Sequence, residues 1–339
     1  MSSEIDQSLV IENLNRYLDW HNLPVRMNKT GICNGLATVY TKYALEGRLN
    51  EFRDILVKIA TMTSTPEFDD KINHFAAEVS LSFLPSDYNK ELNQLHSINM
   101  LSIEGKGLRS SYDFAMTTSD SNWTEILEGL KLGNDEAMIV RSLNHAVSIS
   151  KRGGKYIIYD PNYSSGFKLF KNENELIQEL HYNVFRYTGL LGVGTDRLGL
   201  SEMLSPVAVP LELYGPLSMQ VQVIRHPDKV NKPRAFPDIG ELLKKYLDVN
   251  QVALSCAGIL GAASIHWAIL MNDKPALSLA YDKGFITEDP VLAAAMAAVY
   301  NATEVLPVLL SKITDPKDKE QLSIIYERTL ARGCKESEL

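Results

Sequence analysis

One cysteine of this chain stands where a nucleophile would be useful. Cys33 lies in the segment Gly31–Ala37, where a loop is expected to become a helix. Only the thiolate attacks, and a helix N-terminus lowers the pKa of a thiol through its free N–H groups and about half a positive charge. The flanking Gly31 and Gly35 would let a substrate backbone approach closely. The alternative is a buried cysteine that packs as a small apolar side chain.

A two-residue turn far downstream predicts how two strands pair. Gly153 and Gly154 separate two short runs of β-branched and aromatic residues. Both central residues of a type I′ turn need a positive φ, which glycine adopts without strain. With the two glycines in the turn, Arg152 faces Lys155, and this pair sets the register of the whole hairpin.

This register brings a base and a carboxylate together. His145 and Asp160 become diagonal neighbours on one face of the hairpin, about 7–8 Å apart at the backbone, which is within reach of an imidazole–carboxylate hydrogen bond. Asn162 stands directly opposite His145 and is the rival orienting residue. We favour Asp160, because a carboxylate stabilises an imidazolium better than an amide does. The alternatives are a strand-end histidine bonded to a neighbour and an aspartate that serves only the Asp-Pro-Asn turn.

A thiol enzyme also needs donors for the oxyanion that forms on the attacked carbonyl. The backbone N–H of Cys33, at the start of the expected helix, is one natural donor. Asn28, five residues upstream, would offer its side-chain amide. The alternative for Asn28 is a loop asparagine exposed to water.

The order of the elements predicts the fold class. Apolar residues at helical spacing predict helices over 5–20, 33–47, 49–62, 66–82, 87–97 and 122–132. Short β-branched or aromatic runs then predict strands over 137–142, 145–151, 155–160, 167–170, 183–187 and 218–224. Helices that precede an antiparallel sheet indicate an α+β domain.

The last third of the chain repeats itself. Aligning Asn272 with Asn301 gives a period of 29 residues, which is in the range of helical repeat arrays. The spacings of His266, Ala268 and Gly284 resemble those of an ankyrin repeat. The second copy lacks the leading Thr-Pro-Leu-His but shares the alanines and the apolar second helix. Such repeats would bind a protein partner through their concave surface.

The segments around the three candidate residues resemble a known family, the YopT/AvrPphB group of papain-like cysteine proteases, which bacteria deliver into host cells. The resemblance covers about 25–190. It is carried by Cys33 at a helix start, His145 followed by Ala146-Val147, and the run Tyr159-Asp160-Pro161-Asn162-Tyr163 with Gly166 and Phe167.

This resemblance implies a papain-like fold, with Cys33 as nucleophile, His145 as general base and Asp160 as its partner. It also implies an upstream asparagine or glutamine that assists the oxyanion, and Asn28 is the residue that fills this place. A protease-like domain followed by ankyrin-like repeats resembles the ankyrin effectors of intracellular bacteria. It implies secretion by a specialised bacterial system into the host cytoplasm, where a host protein would be the substrate or partner.

Three parts of the chain follow from these patterns. Residues 1–190 are expected to form the papain-like cysteine protease domain. Residues 191–236, rich in glycine and proline, would be a connector or the edge of that domain. Residues 237–339 would form the ankyrin-like helical repeats, with Trp267 expected in the packing between them.

Composition excludes several classes of protein. The net charge is −8 and no basic run occurs, so a nucleic-acid or anionic-membrane surface is not indicated. No apolar run approaches the roughly 20 residues needed to span a bilayer. The polar N-terminus is unlike a secretory signal peptide. The tail 335–339 would suit a C-terminal export signal, but a solvated chain end is the favoured interpretation.

The cysteines and histidines point to a reducing compartment and no cofactor. Three widely spaced cysteines do not form a disulfide framework, and neither they nor the seven histidines show a metal-ligand spacing. Two further hypotheses stay open. The protease-like domain would be catalytically silent in an interaction protein, or the same residues would serve a deamidase or an acyltransferase.

Overall fold

The computed structural model describes residues 5, 7–29, 31–63, 65–89, 92–185, 216–231, 233–247, 257–284 and 289–324. Its first part is helical, as predicted. The helices are α1 (Gln7–Trp20), α2 (Cys33–Leu45), α3 (Leu49–Ala60) and α4 (Asp70–Phe83). Two short 3-10 helices, Pro85–Asp87 and Gln94–Met100, take the place of the helix predicted over 87–97.

A six-stranded antiparallel sheet follows, which agrees with the predicted α+β class. A two-stranded ribbon, β1 (Ser102–Ile103) and β2 (Lys106–Gly107), precedes it. The sheet consists of β3 (Ser110–Thr118), β4 (Glu136–Arg141), β5 (Ala146–Arg152), β6 (Lys155–Tyr159), β7 (Phe167–Phe170) and β8 (Leu217–Arg225). Their spatial order is β3-β8-β4-β5-β6-β7. Helix α5 (Asp120–Leu130) connects β3 to β4, and α6 (Glu173–Glu179) follows β7.

The predicted hairpin register is confirmed. Gly153 and Gly154 both have positive φ, 55° and 77°. Arg152 pairs with Lys155, and the ladder continues without a slip to Ser148 and Tyr159. The turn chemistry alone was sufficient to predict this pairing.

Two predictions about secondary structure were wrong. The sheet contains β3, in a stretch where no strand was expected, because the alternation of Tyr112, Phe114 and Met116 is short and lies beside helical patterns. Residues 183–187 were expected to form a strand, yet the described part belongs to a π-helical turn, Leu180–Phe185, that extends α6. Val184 and Phe185 reach the core from that turn, so their apolar character reflects burial on a helix.

Strand β8 lies within the range expected to be a connector or domain edge. It is hydrogen bonded between β3 and β4, and all of its residues are buried. The sheet is therefore complete only with residues from 217 to 225. The domain boundary expected at residue 190 stays a prediction. The strand that lies between β3 and β4, however, comes from beyond that residue.

Helix α2 is held on the sheet by side-chain hydroxyls. Thr41 Oγ1 lies 2.7 Å from Ser148 Oγ, and Tyr40 Oη lies 3.0 Å from Ser150 Oγ. The Tyr40 ring also stacks on Tyr159 of β6, with 4.9 Å between ring centroids. These contacts fix the position of α2 along its axis and its rotation about that axis relative to the hairpin strands. Helices α1 to α4 share a core with this face of the sheet, and α5, α6 and α7 (Ile239–Tyr246) cover the other face.

The C-terminal helices are α8 (Ala257–Leu270), α9 (Lys274–Asp282), α10 (Pro290–Val299) and α11 (Leu306–Lys312). Asn272 and Asn301 end the first helix of each pair with the same φ of 52°. The three backbone hydrogen bonds that close the end of α8 recur at the end of α10, each shifted by the 29-residue period. The helix pairs thus repeat with this period, while their assignment as ankyrin repeats stays a prediction.

Trp267 was expected to pack between the repeats, and this was wrong. The side chain is buried against Leu95 and Leu270, and its Nε1–H donates to Ser218 Oγ of β8 at 3.0 Å. Trp267 therefore joins the first helix pair to the sheet. Leu143, in the loop before β5, packs against the same cluster.

Gly35 allows α2 to approach α4, and its replacement tests this close packing. A Cβ built at Gly35 would lie 2.5 Å from the Val79 carbonyl oxygen. We expect Gly35→Ala to lower the free energy of unfolding by about 1–3 kcal/mol, since overpacking forces backbone shifts. Gly129→Ala, in helix α5, is the matched control. There a Cβ meets only Pro237 Cγ at 3.9 Å, and alanine is the better helix former by up to about 1 kcal/mol. Equal stability of both variants in urea denaturation would contradict the close approach.

Candidate active site

Three elements bring the predicted site residues together. Cys33 is the first residue of α2, His145 immediately precedes β5, and Asp160 immediately follows β6. His145 Nε2 lies 2.9 Å from Asp160 Oδ1, and the Cys33 thiol is within hydrogen-bonding reach of the His145 ring. Since Asp160 engages Nε2, Nδ1 is the ring nitrogen left for the sulfur.

The imidazole is held in place from several sides. The His145 side chain is only 11% exposed and that of Asp160 only 4%. The Phe185 ring lies against the imidazole in a T-shaped arrangement, with 6.3 Å between centroids. In the preceding loop, the Ser142 hydroxyl accepts from the His145 backbone N–H at 3.1 Å. The ring is thus oriented by its surroundings and not by the carboxylate alone.

Asp160, and not Asn162, is the partner of His145. Asp160 Oδ1 also accepts the Asn162 backbone N–H at 2.8 Å, so the turn that follows β6 fixes the carboxylate. The Asn162 side chain points elsewhere and accepts a hydrogen bond from Gln7 Nε2 at 3.0 Å. The two roles proposed for Asp160 from its sequence, turn residue and orienting group, are therefore compatible.

The environment of Cys33 favours the thiolate. Burial raises the pKa of Cys33, but hydrogen bonding to His145, the positive charge of its ring and the backbone N–H groups of Ala146 and Asn34 lower the pKa further than burial raises it. The net result is a pKa below the ordinary thiol value. Cys33 is a free thiol and partly exposed, so the sulfur combines this activation with access.

The pKa of His145 shifts in the opposite direction. Burial lowers it, whereas the hydrogen bonds to Asp160 and Cys33 and the negative charges of both raise it to about 10. A histidine with a raised pKa beside a cysteine with a lowered pKa favours transfer of the thiol proton to the imidazole, which gives a thiolate–imidazolium pair. The proton is then already on the group that would pass it to a leaving group.

The start of α2 is anchored by a side chain from α1. The helix begins after Ile32, and no side chain among the described residues caps its first turn. The N–H of Ile32 is instead bonded to Gln7 Oε1 at 2.6 Å. Gln7 was not predicted from the sequence, because nothing near it marks a contact 25 residues away. It joins the start of α1 to the nucleophile loop and, through Asn162, to the turn of Asp160.

Asn28, the predicted oxyanion donor, is exposed in the loop before α2. Its carbonyl accepts the Gly31 N–H at 3.3 Å and helps to shape that loop. Gly31 itself has a φ of 140°, a conformation that favours glycine. The assignment of the Asn28 amide to the oxyanion stays a prediction.

Two further properties concern the described part of the chain. No group of three or more His, Cys, Asp and Glu side chains there is arranged to hold a metal ion. No helix in the same part is long and apolar enough to cross a membrane.

Comparison with known proteins gives a distant structural similarity. No protein-family model matches the chain, and no curated protein matches it. Among solved structures it is similar to the crystal structure of the Pseudomonas avirulence protein AvrPphB, with 14% identity and a TM-score of 0.35. The match covers 58% of this chain and 93% of AvrPphB. A similarity of this size does not establish a common activity.

The activation of Cys33 by His145 is testable without a substrate. We expect His145→Ala to raise the pKa of Cys33, because burial then acts without the hydrogen bond and the positive charge. Alkylation of Cys33 by iodoacetamide at pH 7 should slow by roughly tenfold or more, since each pKa unit changes the thiolate-to-thiol ratio tenfold. The rate is followed between pH 4 and 10 by mass spectrometry of the peptide that contains Cys33.

His226→Ala is the control for this measurement. His226 follows β8 at the opposite end of β4 from His145, and its N–H bonds the Asp135 carbonyl. The alkylation profile of this variant should equal that of the wild type. A wild-type profile in His145→Ala would mean that His145 does not activate the thiol.

Proposed function

We propose that this protein is a thiol hydrolase, acting as a cysteine protease on a host protein. Cys33 is the nucleophile, His145 the general base and acid, and Asp160 the carboxylate that orients His145. The observation that carries the proposal is the hydrogen-bonded set of these three side chains, with the pKa of Cys33 lowered and that of His145 raised. Buried polar sets of this kind, with perturbed pKa values at the start of a helix, are typical of functional sites.

In the first step the Cys33 thiolate attacks the carbonyl carbon of the scissile amide. A C–S bond forms, and the carbonyl π electrons move to oxygen. When the C–N bond breaks, the electron pair leaves with nitrogen, which takes the proton from the His145 imidazolium. Asp160 keeps the ring in the orientation in which Nδ1 faces the sulfur and the leaving amine.

In the second step water resolves the acyl-enzyme. Neutral His145 takes a proton from the water, whose oxygen attacks the thioester carbonyl. The C–S bond then breaks, the acid product leaves, and the thiolate–imidazolium pair is restored. The N–H groups in the first turn of α2 would donate to the oxyanion in both steps, assisted by the Asn28 amide.

The packing supports a division of functions along the chain. The protease-like part comprises the helices and sheet up to Arg225, because β8 is a central strand of that sheet. The helix pairs after residue 257 would be ankyrin-like repeats that recruit the protein partner. Their 29-residue period and their equivalent asparagine turns support this assignment. Secretion into the host cytoplasm by a specialised bacterial system is part of the same proposal.

Proteomics of host lysate identifies the reaction. Lysate treated with the wild-type protein should contain new peptide termini that are absent after treatment with Cys33→Ala. Mass shifts of deamidation, or new acyl linkages, would instead show that the same thiol serves a deamidase or an acyltransferase. Identical peptide profiles for both proteins would contradict an enzymatic role and favour the catalytically silent alternative.

The choice between Asp160 and Asn162 gives a second test. We expect Asp160→Asn to lower kcat on the identified substrate by roughly a hundredfold or more, because an amide does not stabilise the imidazolium or hold its tautomer. Asn162→Ala, two residues away, removes a side chain that bonds Gln7 and not the ring. Its kcat should stay within a few-fold of the wild-type value. Comparable losses in both variants would contradict the assignment.

A further inference from the structure

A buried arginine lies beside the nucleophile helix. Arg141, the last residue of β4, is 2% exposed. Its Nε–H donates to Asn34 Oδ1 at 2.9 Å, and Asn34 directly follows Cys33. The Asn34 amide donates in turn to the carbonyls of Ser82 and Phe83, at 3.2 and 3.1 Å. The first turn of α2 is therefore tied to β4 through Arg141 and to the end of α4.

The other side of the guanidinium faces two glutamines. Nη1 donates to Gln220 Oε1 at 2.9 Å and to Gln222 Oε1 at 3.1 Å, both on β8. The amides of these glutamines then donate to the carboxylate of Asp113 on β3, with 3.1 Å between Gln222 Nε2 and Oδ2. A continuous hydrogen-bonded chain thus runs across three strands, from the start of α2 to Asp113.

Arg141 has no carboxylate in direct contact among the described residues. Its Nη2 is buried and has no hydrogen-bond partner in that part of the chain. A buried cation with an unpaired N–H is costly unless a negative charge lies near it. Two groups supply that charge. Burial lowers the pKa of Arg141, the negative charges of Asp113 and Cys33 oppose this lowering, and the resulting pKa is about 10.

We propose that Arg141 is a positioning residue of the active site. Its guanidinium holds Asn34 and with it the first turn of α2, and its charge adds to the stabilisation of the Cys33 thiolate. This role depends on the proposed function only for its consequence in catalysis, because the charge acts on the thiol whether or not a substrate is present.

The titratable and charged groups that face Arg141 come from three elements. They are Cys33 on α2, Asp113 on β3 and His96 in the 3-10 helix Gln94–Met100. Burial lowers the pKa of His96, and the Arg141 charge lowers it further, so this ring is neutral near pH 7. Strand β8 contributes only the uncharged glutamines. The negative charge that faces Arg141 therefore comes from Cys33 and Asp113.

Two variants in which the pKa of Cys33 should shift in opposite directions distinguish an electrostatic role of Arg141 from a purely structural one. Arg141→Met keeps the length of the side chain but removes its charge, so the pKa of Cys33 should rise by about one unit, a tenfold loss in the thiolate-to-thiol ratio. Asp113→Asn removes the negative charge that competes with the thiolate for Arg141, so the pKa of Cys33 should fall. Burial raises the pKa of Asp113 to about 6, and the comparison is therefore made above that pH. The pKa of Cys33 in each variant is read from the pH profile of Cys33 alkylation in the full chain.

Two controls complete the experiment. Arg225→Met removes another buried sheet arginine, one that faces Glu136 at the far end of β8. This variant should leave the alkylation profile unchanged even if it is less stable. Arg141→Lys keeps the charge but loses the Nε–H bond to Asn34. The pKa of Cys33 in this variant should equal the wild-type value, whereas kcat on the substrate should be lower than in the wild type because the first turn of α2 is no longer held.

The proposal is wrong if the Arg141→Met and Asp113→Asn profiles move in the same direction, or if both coincide with the wild-type profile. Should Arg141→Met fail to fold, the direction of the shift in Asp113→Asn decides, since that replacement preserves the shape of the side chain. If the pKa of Cys33 shifts as expected in both variants but the wild-type protein cleaves no substrate, the proposed function is contradicted and the role of Arg141 is supported.

Discussion

The site depends on how α2 docks on the hairpin of β5 and β6. Cys33 belongs to the helix, whereas His145 and Asp160 belong to the hairpin ends, and the two elements are distant in the sequence. The hydroxyl pairs Thr41–Ser148 and Tyr40–Ser150 fix this relation, each contributing about 1 kcal/mol. They also specify a single rotation of the helix, because a buried hydroxyl that loses its partner is costly. Displacement of the helix would separate the thiol from the imidazole.

The electrostatics of the site are a competition between burial and specific contacts. Burial by itself would make Cys33 a neutral thiol and His145 a neutral imidazole. The hydrogen bond between Cys33 and His145, together with the bond from His145 to Asp160, lowers the pKa of the thiol and raises that of the imidazole. The low effective dielectric that penalises isolated charges also strengthens their attraction when they are paired. The same physics makes Arg141 significant, since a buried cation acts over a longer range than an exposed one.

The C-terminal helices share packing with the sheet and are not merely attached to it. Trp267 donates to Ser218 of β8 and lies in a cluster with Leu95, against which Leu143 packs. Leu143 precedes His145 by two residues, so the first helix pair supports the loop that carries the imidazole. The segment Gln94–Met100, which contains Leu95, also contacts Asn34 through Ser97. The first helix pair therefore packs next to the loop that carries His145 and to a segment that contacts the first turn of α2.

Local chemistry made part of this structure predictable from the sequence. The Gly153–Gly154 turn predicts the strand register because only that pairing suits two positive φ values, and the register leads directly to the contact of His145 with Asp160. The helical spacing after Cys33 predicts its place at the start of α2. The 29-residue period of the C-terminal helix pairs is likewise visible in the sequence, since Asn272 and Asn301 occupy equivalent turns.

The tertiary structure alone decided the remaining features. The insertion of β8 between β3 and β4 is a pairing of strands distant in sequence, for which no local pattern exists. Gln7, Asn34 and Arg141 are ordinary polar residues in the sequence, and they matter because folding brings them to the start of α2. A side chain becomes part of a site through its neighbours and its loss of water, and both are set by packing between distant segments. The sequence by itself thus determined which groups were available for chemistry, and the tertiary packing decided which charges surround them.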